Sequence, residues 1–247
     1  MRTSMPVEDA YRDDLAYIHD VGYGSIAADA ARRLITELTA AGCRDGTIVD
    51  LGCGSGILAK LLADAGYRVV GIDVSKAMVS RARAAVPAAE FRVGSFVSAD
   101  LPASVAVVAV GEVLNYRFDD TNDHDARVDL FERIHDALAP GGLLMFDAAT
   151  RDRTQPCRTF AEGPDWAVLV EADVDSAREM LTRKITTFRK SGTLFRRDME
   201  THRLTLLDPT TISRSLETAG FEVQVLSQYD AVALASGTAL YLCRKPA

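Results

Sequence analysis

The first 150 residues alternate between short apolar runs and longer segments in which apolar side chains recur every three or four positions. The short runs predict buried strands, and they cover Thr47–Leu51, Arg68–Asp73 and residues 91–94, 105–110 and 143–147. The longer segments predict helices, of which residues 25–41 and 75–86 are the clearest. Strands that alternate with helices in this way form a parallel sheet with helices on both faces.

The pattern changes after residue 150. Residues 166–206 have no helical stripe, only β-branched, aromatic and alternating charged side chains, which predict antiparallel strands. Ser191-Gly192 lies between two of these runs and predicts a two-residue hairpin turn, which would place Phe188 opposite Phe195. A final helix after Asp208 and two strands, at residues 221–226 and 239–243, follow this segment.

These elements predict an α/β protein with a seven-stranded, Rossmann-like, doubly wound and mostly parallel sheet that carries an antiparallel β insert. We divide the chain into four parts. They are an N-terminal segment (1–24), a core (25–150), the insert (151–206) and the C-terminal part of the core sheet (207–247).

Composition and charge exclude several classes of function. Lys and Arg number 28 against 35 Asp and Glu, a net charge of −7 that offers no positive field to nucleic acid or an anionic membrane. The four cysteines form no CxxC pair, which argues against a disulfide scaffold and a zinc site. The apolar run 105–110 is far shorter than the roughly 18–20 residues of a membrane span, and the N-terminus carries charges. We therefore expect a cytoplasmic protein without metal, membrane or nucleic-acid partners; its oligomeric state stays open.

A glycine-rich loop, Gly52-Cys53-Gly54-Ser55-Gly56, follows the first strand and precedes a helix. Glycines let the backbone approach a ligand closely, and a helix N-terminus offers free N–H groups. Asp73 ends the neighbouring strand, 19 residues after Gly54, where a carboxylate can accept both hydroxyls of a ribose. A nucleoside cofactor is the resulting prediction, although Asp73 could also only cap the next helix.

Two nucleoside cofactors are compatible with this loop. The nicotinamide fingerprint G-x-G-x-x-G needs a glycine at position 57, where this chain has Ile57. That difference disfavours an NAD(P)-dependent oxidoreductase, which remains an alternative.

The ordered set of motifs resembles that of class I S-adenosylmethionine-dependent methyltransferases. The matching segments are residues 49–56 (VDLGCGSG), 71–75 (GIDVS), 109–116 (AVGEVLNY), 138–142 (LAPGG) and 216–221 (LETAGF). The tyrosine-containing opening at 11–20 looks like that of members acting on small molecules. The resemblance covers nearly the whole chain.

The resemblance implies S-adenosylmethionine as the cofactor and a set of residues that hold it. The backbone of Gly52, Cys53 and Gly54 would bind the methionine portion, and Asp73 the ribose. The other implied contacts are Tyr11 to the methionine carboxylate, Val74, Met78, Ser95 and Phe96 to the adenine, and Gly111 and Glu112 beside the sulfonium.

The resemblance also implies in-line methyl transfer to a small-molecule acceptor, held between the N-terminal segment as a lid and the insert as a cap. Such a transfer needs orientation above all, and a base only where the attacking atom carries a proton. The candidate bases are Tyr17, His19, Tyr116 and His202, although His202 could equally pair with Glu200 in a structural role. A non-catalytic module that binds the cofactor is a second alternative.

Overall fold

A computed structural model describes residues 10–247, so the predicted lid before residue 10 lies outside the described residues. The helices are α1 (Asp13–Gly22), α2 (Gly24–Ala40), α3 (Ile57–Asp64), α4 (Lys76–Ala85), α5 (His124–Ala137) and α6 (Pro209–Thr218). The strands are β1 (Thr47–Leu51), β2 (Arg68–Asp73), β3 (Glu90–Val93), β4 (Ser104–Ala109), β5 (Leu138–Ala149), β6 (Cys157–Gly163), β7 (Trp166–Asp175), β8 (Met180–Ser191), β9 (Leu194–Thr205), β10 (Glu222–Leu226) and β11 (Thr238–Arg244).

Seven strands form the larger sheet, in the order β10-β11-β5-β4-β1-β2-β3. Strands β1 to β5 pair in parallel, and β11 runs antiparallel between β5 and β10. The chain changes direction across the sheet between β1 and β4, and ligands of open α/β sheets bind beside such a switch point. The predicted fold, a mostly parallel doubly wound sheet with an antiparallel insert, is confirmed.

Helices cover both faces of this sheet because its strands are apolar on both sides. Ile48 of β1 packs with Leu34 and Leu62 from the helices of one face. Its neighbour Val49 packs with Leu130 and other residues from the helices of the opposite face. Consecutive residues of one strand thus enter two separate cores, which places the end of β1 between both helix layers.

The insert forms a second, antiparallel sheet in the order β6-β7-β8-β9. Its β8–β9 turn is Gly192-Thr193, so the predicted Ser191-Gly192 turn is wrong, and Phe188 lies opposite Arg197. Gly192 has φ +65°, and a two-residue hairpin turn favours glycine at its first position, where φ is positive. The shift moves each partner by two residues, so every side chain keeps its face of the sheet.

The lid segment contains a helix, α1, that the sequence pattern did not predict. Leu15 and Ile18 of α1 pack against Trp166, Val168 and Ile185 of the insert sheet. The apolar face of α1 is therefore completed by residues about 150 positions away in the chain.

Asn115 joins the two sheets where β5 and β9 end. This buried amide donates to the carbonyl oxygens of Ala149 and Thr205, at 2.7 Å each, and accepts the N–H of Ala149 at 3.0 Å. Because buried backbone groups are costly to leave unpaired, these bonds fix the insert against the core.

Candidate active site

A cleft of about 970 Å³, measured out to the solvent at its mouth, opens at the carboxyl ends of β1, β2 and β4. The predicted site residues in its wall are Tyr11, His19, Gly52, Cys53, Gly54, Asp73, Val74, Met78, Ser95, Phe96, Gly111 and Tyr116. The other three predicted residues, Tyr17, Glu112 and His202, are outside the wall. The cleft thus brings together residues from the lid, the glycine loop and the ends of three strands.

The glycine loop presents bare backbone to the cleft. At Gly52 the φ is +70°, and a Cβ atom there would come within 2.5 Å of Val113, so only glycine fits. At Gly54 the φ is +53° and a Cβ atom would meet no atom within 4 Å, because this residue borders open space. The buried Cys53 thiol, whose pKa burial raises well above the usual value, is no nucleophile.

Asp73 faces the same loop from the end of β2. One of its carboxylate oxygens accepts the N–H of Gly54 at 2.9 Å, and the other accepts the N–H of Ser75 at 2.8 Å. Burial raises the pKa of Asp73, although these two N–H groups partly oppose the increase. A carboxylate has about four acceptor positions, so two remain for hydroxyl groups of a ligand. Asp73 therefore both orders the start of α4 and can bind a ribose.

Asp50 is a wall residue that the sequence reasoning missed. It is 1% exposed near the end of β1, and its Oδ2 has no hydrogen-bond partner in the described structure. Burial, and then the neighbouring Asp73, raise the pKa of Asp50 to about 8. A buried, unpartnered carboxylate in a cleft fits a ligand with a positive charge. The available signal was an acid inside an otherwise apolar strand, two residues before the glycine loop.

The loop after β4 is held by Asp147 at the end of β5. One carboxylate oxygen of Asp147 accepts the N–H of Gly111 at 2.7 Å and of Glu112 at 3.0 Å. Burial raises the pKa of Asp147 to about 6. These bonds stabilise Glu112 in a left-handed conformation, φ +60°, and set the position of Gly111 in the wall.

The Glu112 carboxylate binds two arginines and does not line the cleft. It contacts Arg153 at 2.8 Å, forms a close ion pair with Arg183, and accepts the Thr238 hydroxyl at 3.2 Å. Burial alone would raise the pKa of Glu112, but the two guanidinium groups hold it below its usual value. The side chain of Glu112 thus connects the loop after β4 to the insert and to β11.

Two of the four candidate bases, His19 and Tyr116, lie in the wall. The Tyr116 hydroxyl is 2.9 Å from that of Tyr11 and accepts a hydrogen bond from Arg183 at 3.1 Å. The Nδ1 atom of His19 is buried and has no partner within the described residues. Burial lowers the pKa of His19, so its imidazole is neutral at neutral pH.

The other two candidates fasten the lid to the insert. Tyr17 donates to Asp165 at 3.1 Å. His202 is fully buried, and its Nε2 is 2.9 Å from Glu200. Glu200 also accepts the backbone N–H groups of Tyr11 and Arg12, each at 2.9 Å. The pairing of His202 with Glu200, one of its two predicted roles, is therefore present.

Residues 10–247 contain neither a cluster of metal ligands nor a helix able to span a membrane. No group of three or more His, Cys, Asp or Glu side chains in this range could hold a metal ion. No helix in it has both the length and the apolar character needed to cross a membrane.

Comparisons with known proteins give a consistent result. A family model described as a methyltransferase domain matches residues 23–226. A probable S-adenosylmethionine-dependent methyltransferase of Mycolicibacterium smegmatis is 30% identical over 123 residues, covering 49% of this chain and 45% of the relative. A trans-aconitate 2-methyltransferase of Paracidovorax citrulli is 38% identical over 117 residues, covering 47% and 43%. The chain spans less than half the length of these two curated relatives.

Solved structures share the fold over most of the chain. An S-adenosylmethionine-dependent methyltransferase from Clostridium acetobutylicum has a TM-score of 0.78 at 14% identity, covering 94% of this chain and 97% of that one. CalS10, an amino pentose methyltransferase from Micromonospora echinaspora solved with S-adenosylmethionine, has a TM-score of 0.73 at 18% identity, covering 93% and 94%. These similarities show that the fold is that of Rossmann-like methyltransferases.

Asp50→Asn is expected to raise the melting temperature at about pH 7.5 by about 5 °C or more. The folded protein holds a proton on Asp50, whose pKa is about 8, and the unfolded chain does not, so wild-type stability falls as the pH rises from about 4 to about 8. The neutral asparagine gives no such pH dependence. The difference in melting temperature between Asp50→Asn and the wild-type protein should therefore approach zero towards pH 4.5. Circular dichroism at a series of pH values measures it, with the exposed Asp64→Asn as a control. Equal melting temperatures at every pH would contradict a buried, unpartnered Asp50.

Proposed function

We propose that this chain, which belongs to the methyltransferase-domain family and to class I of the S-adenosylmethionine-dependent methyltransferases, transfers a methyl group from that cofactor to a small-molecule acceptor. The observation that carries the proposal is the arrangement at two adjacent strand ends. Bare amides of the glycine loop lie at the end of β1, Asp73 lies at the end of β2, and the unpartnered Asp50 lies beside both.

The charge of the cleft wall favours S-adenosylmethionine over a dinucleotide. The acidic wall residues are Asp50, Asp73 and Asp119, and the wall as described contains no Lys or Arg. A pyrophosphate would bring negative charge against these acids, with only the N–H groups at the start of α3 to balance it. S-adenosylmethionine instead has a positive sulfonium and a positive ammonium group, which complement Asp50. The same argument disfavours the NAD(P)-dependent alternative.

The remaining predicted contacts suit the two ends of this cofactor. Val74, Met78 and Phe96 supply apolar surface for an adenine, with Ser95 at its edge, and Asp73 has acceptor positions for the ribose hydroxyls. When bound, S-adenosylmethionine supplies a sulfonium-bound methyl group that an acceptor atom attacks in line. The role of the protein is to bind the cofactor and the acceptor, to orient them and to exclude water.

We place the acceptor between α1 and the loop after β4. Tyr11 and His19 from the lid face this part of the cleft with Tyr116 and Phe118 from the loop. The insert contributes no residue to the wall, so its predicted role as a cap becomes an indirect one. It fixes the lid through Glu200 and orients the Tyr116 hydroxyl through Arg183.

His19 is the base that we propose for an acceptor atom that carries a proton. Its imidazole is neutral, and its Nδ1 has no competing partner in the described structure. A neutral imidazole can accept a proton at neutral pH. The neighbouring Tyr11 hydroxyl cannot, because burial raises its pKa well above the usual value and it keeps its own proton. A small-molecule acceptor is consistent with CalS10, which is an amino pentose methyltransferase.

Asp73→Ala is expected to weaken S-adenosylhomocysteine binding by about 100-fold, because two ribose hydroxyls lose their acceptor. Titration calorimetry measures the dissociation constant, and circular dichroism checks that the variant is folded. Asp64→Ala, at an exposed position on α3, should bind like the wild-type protein. Binding of NADH in place of S-adenosylhomocysteine would contradict the proposed cofactor.

His19→Ala is expected to lower the rate of methyl transfer by about 100-fold while cofactor affinity stays within twofold, because the residue would act only on the acceptor. Radiolabelled S-adenosylmethionine, tested against a panel of amines, alcohols and acids, first identifies an acceptor and then gives the rates. His124→Ala, an exposed histidine at the start of α5, is the matched control. An unchanged rate would remove His19 from the mechanism, and cofactor binding without turnover of any acceptor would favour the non-catalytic module.

A further inference from the structure

Strand β6 forms a free edge of the insert sheet. It pairs with β7 on one side and, within residues 10–247, with no strand on the other. Gly163 and Trp166 flank the two-residue turn between β6 and β7, so the odd-numbered residues of β6 direct their backbone N–H and C=O groups to β7. The backbone groups of Arg158, Phe160 and Glu162 therefore point to the open edge. Phe160 is 60% exposed.

We propose that a second copy of this chain pairs with this edge. The two β6 strands would run antiparallel about a two-fold axis at Phe160, and the two four-stranded insert sheets would become one sheet of eight strands. Exposed strand edges with free N–H and C=O groups are templates for such pairing. A two-fold contact uses the same surface on both copies, so the edge has to be complementary to itself.

The sequence of β6 has this self-complementarity. When Phe160 pairs with Phe160 of the second copy, Arg158 pairs with Glu162 of the second copy, and the two-fold axis repeats that pair. Opposite charges and aromatic rings directly across an antiparallel pair are both stabilising. All three residues lie on the same, outward face of the sheet, because they alternate with the residues between them.

Two prolines select this register. Pro156 and Pro164 flank β6, and neither has a backbone N–H to donate. With Phe160 on the axis, the two prolines lie opposite each other, beyond the ladder. A shift of two residues would place Pro156 opposite Glu162 in one direction, or Pro164 opposite Arg158 in the other. The backbone carbonyl of Glu162 or Arg158 would then have no N–H to accept.

The outward face of the insert sheet supports the same contact. Phe160 is in register with Leu169 of β7, Thr186 of β8 and Met199 of β9, so these side chains form one row across the sheet. Leu169 is 42% exposed and Met199 is 48% exposed. The two-fold axis would join two such rows end to end and cover the Phe160 rings with each other. The cleft wall contains no residue of the insert, so this proposal does not rest on the proposed methyl transfer.

Cysteine cross-linking tests the register. In this dimer the two copies of residue 160 face each other with Cα atoms about 5.5 Å apart, a distance that a disulfide spans. In a Cys157→Ser background, used for both variants because the native Cys157 of β6 is exposed, Phe160→Cys should therefore give a disulfide-linked dimer under mild oxidation. Arg158→Cys, on the same face two residues away, should remain uncross-linked, because its two copies lie about 13 Å apart along the strands. Equal cross-linking of both variants, or of neither, would overturn the proposal.

Charge reversal tests the contact without a covalent bond. Sedimentation equilibrium of the wild-type protein should give twice the mass of the chain. Arg158→Glu and Glu162→Arg should each raise the dimer dissociation constant by about tenfold or more, because like charges then oppose each other at both pairs. An equimolar mixture of the two variants should dimerise again, since mixed dimers restore opposite charges. Arg158 also forms an ion pair with Glu171 of its own chain, at 3.2 Å. Mixing the variants does not restore that ion pair, so recovery of the dimer would report only the contact between the two chains. A monomeric wild-type protein, or a mixture that stays monomeric, would contradict the proposal.

Discussion

The proposed ligand binding depends on one buried carboxylate, Asp50, whose Oδ2 has no hydrogen-bond partner in the described structure. Asp50 lies between the sheet and the cleft, next to a second buried acid, Asp73, and the wall as described has no Lys or Arg to balance them. Keeping such a group ionised is costly, so the free protein holds a proton there. A ligand with a positive charge removes that cost. The unpartnered Asp50 is therefore the group on which the proposed binding of a cationic ligand rests.

The second structural principle is that the insert acts at a distance. No insert residue lines the cleft, yet three sets of interactions tie the insert to residues that line the cleft or adjoin it. Glu200 binds the backbone at the start of the lid, Arg183 connects Glu112 to the Tyr116 hydroxyl, and Asn115 fixes the end of β9 to β5. A change in the insert would therefore act on the cleft through Tyr11 and Tyr116.

Local sequence patterns predicted the strands of the parallel core, although β5 begins at Leu138, five residues before its predicted start. The predicted bounds of β1 and β2 agree with the structure because each apolar run ends at a glycine loop or an acid. Helix α1 was missed because its apolar residues find their partners on the insert, about 150 positions away. The hairpin register was predicted wrongly because Ser191-Gly192 and Gly192-Thr193 are both plausible turns by sequence. Only the strand pairing of the folded sheet, which places Ser191 opposite Leu194, distinguishes them. The state of Asp50 could not be predicted either, since burial and the proximity of Asp73 arise only in the folded sheet.

Proton release on cofactor binding tests the central claim most directly. Titration calorimetry with S-adenosylmethionine in buffers of different ionisation enthalpy, at about pH 7, counts the protons exchanged. Because Asp50 is protonated in the free protein and becomes ionised beside a positive ligand, we expect nearly one proton to be released, and none in Asp50→Asn. Binding without proton release, or an equal release in the variant, would contradict the account.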